Sequence, residues 1–431
     1  MIMIVFFRSI TDCTYCFTAI YRPKPSHILT SMTSPTRHFA PIDFKSRFPA
    51  LDGIRALAII MVFALHYGGG THGGPLLNLV NQLRLRGWIG VDLFFTLSGF
   101  LITGILYDTR ADSHYFKRFF ARRSVRIFPI FYLVFTIFLI LTPVFHYQWR
   151  LGHLFFLIYM GNFSLAADPS LEIIRSATIP AASAHLVHFW SLCVEEQFYL
   201  IWPIVVWFTR DRVRIIQVAT ALSILALVLR VVMVEIVRPL NLEGWLVHQL
   251  PFRMDSLLLG AILALVLRGP SADKWQRSCK TVFLVALVAF IALSVALPAL
   301  NAPWLMTIGF SLLALASAGL IGTALRTDSP AFRLFHLRPL RILGKYSYGF
   351  YVYHVLWAGA WAAFVGFLTR KFHSSILANA LSDILNFAVA FLMAKLSYDL
   401  FEVRFLRFKK YFEYDSEVRE HRTNFADELK V

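Results

Sequence analysis

The chain has 431 residues, of which 58% are hydrophobic and 16% charged, and a mean hydropathy of +0.62. Apolar stretches of spanning length recur throughout, which argues against a large soluble core and for an all-α polytopic membrane protein, a bundle of about ten helices. The formal net charge of +17 bears first on topology, because cytoplasmic loops concentrate Lys and Arg, and nucleic-acid binding is a poor use of it here.

Residues 1–45 join a short apolar start, MIMIVFF, to polar, Pro-bearing sequence, and that run ends at Arg8 without the layout of a secretory signal. This extension is expected to lie outside the fold, with Met32 as the candidate true start. Its Cys13-x-x-Cys16 is an isolated pair that carries no redox or metal assignment, and with Cys193 and Cys279 it makes no disulfide framework. No Walker A loop, dinucleotide fingerprint or EF-hand pattern occurs.

The membrane domain is expected over 46–406, with spans at roughly 54–70, 88–107, 127–146, 188–208, 215–236, 250–267, 281–299, 304–325, 347–368 and 376–400. A shorter apolar stretch, 151–163, decides the topology. If it does not cross, Lys and Arg collect on the loops around 110–126, 210–214, 268–280 and 326–345, which puts those loops and both termini in the cytoplasm. It is read as non-crossing. Residues 407–431 then form a charged cytoplasmic tail.

The first span, LDGIRALAIIMVFALHY, carries Arg55 and His66 eleven residues apart. At about 100° per residue both project from one face, about 16 Å apart along the axis. Charge and imidazole are costly inside hydrocarbon. A guanidinium at the membrane edge and a titratable ring near the middle suit a site that holds an anion at one end and moves a proton at the other.

The second span, GVDLFFTLSGFLI, places Asp92 near its outer end, with Ser98 and Gly99 read as a close helix contact rather than a nucleophile. At the inner end of the third, Arg123 and Arg126 are neighbours on one helical face at the depth of Arg55, where three guanidiniums could converge on a phosphorylated donor. Lys117, Arg118 and Arg122 read as ordinary flanking charge.

The fourth, FWSLCVEEQFYLIWP, aligns Ser191, Glu195 and Tyr199 in one stripe, with Glu196 about 100° away. These groups belong inside the bundle, either in a structural network between helices or in a site. Glu195 lies at a depth that His66 also reaches, and a carboxylate beside the imidazole would orient it as a general base. In the sixth, FRMDSLLLG brings Arg253 and Asp255 together, with an acceptor or each other as partner. In the ninth, SYGFYVYH sets Ser347, Tyr351 and His354 on one face, nearer the cytoplasm; a satisfied core histidine is the plainer reading of His354.

Taken in order, the R-x10-H of Arg55 and His66, GVDLFFTLSGFLI, the RxxR of Arg123 and Arg126, WSLCVEEQFYLIWP, RMDSLLLG and GKYSYGFYVYH resemble the membrane-bound acyltransferase 3 family over about residues 48–406. The resemblance implies an enzyme of the cell inner membrane that takes an acyl group, commonly acetyl, from cytoplasmic acyl-CoA as co-substrate, with no tightly bound cofactor and no metal. The acceptor is a hydroxyl, less readily an amine, of a carbohydrate, glycolipid or other small molecule at or beyond the outer face. Carried over, His66 is the catalytic histidine, Arg55, Arg123 and Arg126 contact the donor's phosphate-bearing part, and Glu195 or Glu196 supports catalysis. Ser191, Tyr199, Arg253, Asp255, Tyr351 and His354 stand as supporting groups, with Tyr199 and Ser191 among the candidate oxyanion donors. Direct transfer and an acyl-enzyme both stay open.

The chain departs from the family where an acidic residue followed by Pro is common, since Glu402 precedes Val403 and Arg404. Some members carry an appended extracytoplasmic hydrolase-like domain, which the residues after 406 are too few to form. The competing class is a proton-coupled transporter using the same buried His, Glu and Arg side chains, but no internal repeat of the kind common in such folds is found.

Overall fold

A computed structural model describes residues 48–67, 74–297 and 302–414. The extension over 1–45, with Met32 and the CxxC pair, and the tail from 415 onward lie outside the described residues.

Helices dominate, because a segment inside hydrocarbon has to satisfy its backbone internally. In chain order the principal ones are α1 (Pro49–Tyr67), α2 (Pro75–Leu85), α3 (Ile89–Asp108), α4 (Tyr115–Phe145), α5 (Phe189–Thr209) and α6 (Arg212–Val232). They are followed by α7 (Leu250–Val266), α8 (Ala272–Ala296), α9 (Phe310–Ala324), α10 (Ser347–Tyr353), α11 (Ala358–Phe372) and α12 (Ser375–Ser397). Among the described residues eight helical stretches are long and apolar enough to cross a membrane, or nine when α10 and α11, bent by 72°, count as one. Every expected span holds a helix, α5 included, whose Glu195 and Glu196 interrupt its apolar run. The protein is an all-α polytopic membrane protein. Its only strands among the described residues, β1 (Ile173–Ile174) and β2 (Ala184–His185), pair antiparallel with Ile173 opposite His185.

Helix α4 starts well before the expected 127 because the basic stretch holds good helix formers and no breaker, and Arg123 and Arg126 sit on it as neighbours on one helical face, as expected. The doubtful stretch 151–163 is broken into Leu151–Leu154, a tight turn at Phe155–Ile158 and Gly161–Ala167, each far short of the roughly 20 residues a span needs. It is plugged into the bundle by Asn162. The amide of that side chain donates to His248 O at 3.1 Å and to Gln249 Oε1 at 3.1 Å, and its oxygen accepts from Gln197 Nε2 at 2.8 Å.

Helices α3 and α7 cross with their backbones almost touching. A Cβ at Gly99 would lie 1.8 Å from Leu257 O, and one at Gly260 would lie 1.9 Å from Thr96 O. Small residues permit such an approach, so Gly99 is a helix contact as read from the sequence, while its neighbour Ser98 bonds to Tyr199 across a cavity.

Above that crossing the two helices share charge. Arg253 Nη2 meets Asp92 Oδ1 at 2.8 Å, and Ser256 Oγ donates to the same oxygen at 2.7 Å. Arg230 of α6 grips Asp255 with two bonds of 2.9 and 2.7 Å, and Ser311 of α9 donates to Asp255 at 2.7 Å. Arg253 and Asp255 therefore pair with Asp92 and Arg230, not with each other, and all four side chains are at most 2% exposed. Arg253 also lies 3.7 Å above the Phe310 ring. The network pins α3, α6, α7 and α9 together.

Residues 398–412 continue from α12 as short helical pieces, Tyr398–Glu402, Val403–Leu406 and Arg407–Phe412. The first part of the expected tail lies against α4, where Arg122 Nη1 donates to Phe412 O at 3.3 Å.

Candidate active site

Helices α1, α3, α4, α5 and α10 enclose a cavity of about 450 Å³. Their alternating direction sorts its polar wall into two ends. The starts of α1 and α4 and the ends of α3 and α7 bring Arg55, Arg123, Arg126 and Arg268 to one end, together with Asp52 and Asp108. The start of α5 and the later part of α10 bring Ser191 and Tyr351 to the other, and Glu195, Glu196, Tyr199, Ser98 and Tyr348 lie along the wall as well.

At the basic end the four guanidiniums differ in what answers them. Arg55 bonds Asp52 at 2.5 Å, one helical turn earlier. Arg268 holds Asp108 with two bonds, Nε to Oδ1 at 2.9 Å and Nη2 to Oδ2 at 2.7 Å. Arg123 lies 4.2 Å above the Tyr199 ring with its Nε buried and unpartnered among the described residues. Arg126 is exposed, faces the cavity, and makes no hydrogen bond to any described residue. A guanidinium in that condition is ready for an anion.

Along the wall, Glu195 lies within reach of Ser98, Tyr199 and Arg123, and Ser98 Oγ bonds Tyr199 Oη. Glu196 has a buried oxygen, Oε1, without a hydrogen-bond partner among the described residues. Further on, Ser191 Oγ and Tyr351 Oη are 2.5 Å apart, and Tyr351 Oη donates to His188 O at 2.7 Å.

His66 is not part of the cavity wall. It sits in the last described turn of α1, rather than near the middle of a span, and meets another histidine instead of Glu195. The ring of His354 is 5.0 Å from that of His66, 5.3 Å from that of His188 and 5.6 Å from that of Tyr351, so the wall residue Tyr351 connects to His66 through His354. Thus α10 crosses the depth of the site, with Ser347 and Tyr348 at its start and His354 just beyond its last residue, beside His66.

Two backbone carbonyls set the protonation of these rings. His66 Nδ1 lies 2.8 Å from Val62 O and His354 Nδ1 lies 2.7 Å from Tyr351 O, and since a carbonyl only accepts, both Nδ1 atoms carry hydrogen when the rings are neutral. The lone pairs are then on the Nε2 atoms. That of His354 is 3.3 Å from His66 Nδ1, and that of His66 makes no hydrogen bond among the described residues. Outside the spans, β2 joins this end through His185 N, which donates to Leu356 O at 3.1 Å. Burial lowers the His185 imidazole and raises the nearby Glu172 carboxyl from their ordinary values, keeping both towards neutral.

Of the residues singled out from the sequence, the structure gathers Arg55, Arg123, Arg126, Glu195, Glu196, Ser191, Tyr199 and Tyr351 on one cavity. It sets His66 and His354 beside it, and puts Arg253 and Asp255 in the separate buried network. Asp52, Asp108, Arg268 and Tyr348 were not anticipated. Asp52 carried a readable signal in its spacing of three from Arg55, whereas Arg268 and Asp108 look like loop-flanking charges. Among the described residues no group of three or more His, Cys, Asp or Glu side chains is arranged to hold a metal ion.

Fold and site together define a polytopic membrane protein with an internal cavity graded from guanidiniums through carboxylates to hydroxyls. The family model for the acyltransferase domain of the acyltransferase 3 family matches residues 48–395, and the chain belongs to that family. It is a multi-pass protein of the cell membrane. It is 28% identical over 317 residues to the O-acetyltransferase OatA of Staphylococcus aureus, a match covering 71% of this chain and 50% of the relative. It is 31% identical over 326 residues to the putative peptidoglycan O-acetyltransferase YrhL of Bacillus subtilis, covering 71% and 48%. To the peptidoglycan O-acetyltransferase OatA of Listeria monocytogenes it is 28% identical over 369 residues, covering 82% and 55%. The chain spans about half the length of these curated relatives. No solved structure matches it.

Proposed function

We propose that the protein transfers an acyl group, acetyl in the simplest case, from cytoplasmic acyl-CoA to a hydroxyl of a cell-envelope carbohydrate or glycolipid. The observation that carries this reading is Arg126, a guanidinium open to the cavity with no hydrogen bond to any described residue, beside Arg55 and Arg123. Guanidiniums match phosphate oxygens in geometry as well as charge. The Lys- and Arg-rich loops on the same side support a cytoplasmic basic end. The similarity to peptidoglycan O-acetyltransferases supports a carbohydrate acceptor, a peptidoglycan glycan among the candidates.

In this reading Arg55, Arg123 and Arg126 hold the donor's phosphates, and its thioester arm runs past Glu195 and Tyr199 toward Tyr351. The acceptor arrives from the histidine end. His66 Nε2 takes the hydroxyl proton as the oxygen attacks the thioester carbonyl, and the developing imidazolium is steadied by Val62 O and His354 Nε2 at Nδ1. The C–S bond then breaks and the departing thiolate takes that proton. In this reading the side chain of Tyr351, which lines the cavity and neighbours His354, swings aside for the thioester to arrive. On the same reading Tyr199 and Ser191 donate to the developing oxyanion.

The test is turnover of acetyl-labelled coenzyme A by the purified protein in the presence of a glycan acceptor. His66→Ala is expected to lower kcat by about 10²–10⁴-fold with donor binding preserved. Retained turnover removes His66 from the chemistry. Ion-coupled flux without loss of the acyl label marks a transporter instead.

A further inference from the structure

Arg268 looks in the sequence like a cationic flank at the end of a span, and flanking arginines ordinarily extend into water. This one does not. It turns back along the bundle into the cavity wall, with its side chain only 10% exposed. The turn is possible because of Gly104 on α3, where a Cβ would stand 2.8 Å from Arg268 Nη2 and 3.2 Å from its Cζ. The guanidinium lies over the bare backbone at that point. Nη1 donates to Ala264 O at 2.9 Å, which leaves the Nε–Nη2 edge for both oxygens of Asp108.

That two-bond edge is the geometry in which a guanidinium takes a carboxylate or a phosphate alike. Asp108 is the last residue of α3 and is 45% exposed, so once released it returns to water at little cost. The buried pairs Arg253–Asp92 and Arg230–Asp255 have no such exit.

We propose that Arg268 is a fourth donor-binding guanidinium, seated on Gly104 and latched by Asp108 until a phosphate group of the incoming donor displaces that carboxylate. The proposal rests on the donor-site reading above. The latch offsets one of four converging positive charges while the site is empty, and the exchange swaps one charge-assisted fork for another.

The experiment is binding of coenzyme A to the purified full-length protein and its variants by calorimetry, with thermal melting as a check on folding. Arg268→Gln is expected to weaken binding about tenfold, the loss of one hydrogen-bonded charge contact. Asp108→Asn is expected to tighten it several-fold, and the double variant to bind as weakly as Arg268→Gln alone. Gly104→Ala crowds only the flexible end of Arg268 and is expected to weaken binding without altering charge, which keeps the test open if Arg268→Gln does not fold.

Wild-type affinity in a folded Arg268→Gln or Gly104→Ala variant, with Arg126→Ala weakened, overturns the latch and leaves the donor site standing. An Asp108→Asn gain of equal size in the Arg268→Gln background also overturns it, because the gain is then long-range charge. Unchanged affinity in Arg126→Ala and Arg268→Gln together overturns the donor reading as well.

Discussion

Two groups of arginines lie in the same helix bundle and differ in how their charge is answered. Arg230 and Arg253 each face a carboxylate, each pair is supported by a serine hydroxyl, and all four charged side chains are at most 2% exposed. Arg123 and Arg126 face a cavity. One stacks on Tyr199, the other has no hydrogen bond among the described residues, and neither forms an ion pair there. Burial alone therefore does not separate structural from functional charge in a membrane bundle; the partners do. A guanidinium whose charge is met by a buried carboxylate holds helices together, whereas one that faces open volume without a carboxylate is held for something that arrives.

The contrast can be broken most sharply on its buried side. Removing one member of a buried pair strands the other charge, so Arg253→Ala is expected to destabilise the protein by about 3–5 kcal/mol. The readout is thermal or denaturant unfolding in detergent; a melt like the wild type's would mean that the network bears no structural role.

On the open side, Arg126→Ala is expected to leave the melt nearly unchanged while weakening acyl-CoA binding about 10- to 100-fold, in line with a charge-assisted hydrogen bond. Destabilisation comparable to that of Arg253→Ala, with affinity unaltered, would place Arg126 among the structural arginines. Affinity for the donor is also expected to fall with rising salt, since a cluster of guanidiniums, Arg126 exposed among them, meets an anion at the mouth.

The smallest effect sharpens the buried half. Replacing both partners, Arg253→Met with Asp92→Leu, is expected to recover most of the stability lost in Arg253→Ala, because an apolar pair carries no desolvation cost. No recovery in a double-mutant cycle would show that Ser256 and the Phe310 ring need the charges themselves.

Much of the site was legible because hydrocarbon makes unexplained polarity conspicuous. Arg55, Arg123, Arg126, Glu195 and Tyr199 each stand out against an apolar run, and helical spacing predicts which of them share a face. Asp108 and Arg268 were invisible for the opposite reason: at the edge of a span a charge needs no explanation, and only the near-contact of α3 with α7 at Gly99 and Gly260 brings the two together. The imidazole–carboxylate pair expected from depth failed because depth is one coordinate of three. His66 and Glu195 can share a level while their helices present them to different neighbours, and the space beside His66 is taken by His354.

By itself the order of residues determined that this is a multi-helix membrane protein and which side chains must turn inward, since the cost of exposing charge to lipid depends on residue type and helical phase alone. The tertiary structure decided which inward groups meet: Arg253 with Asp92, Arg230 with Asp255, His66 with His354, and Arg126 with open volume. Those pairings depend on crossings between helices distant in the chain, and a crossing is set by which backbones can approach closely, a property of two surfaces at once.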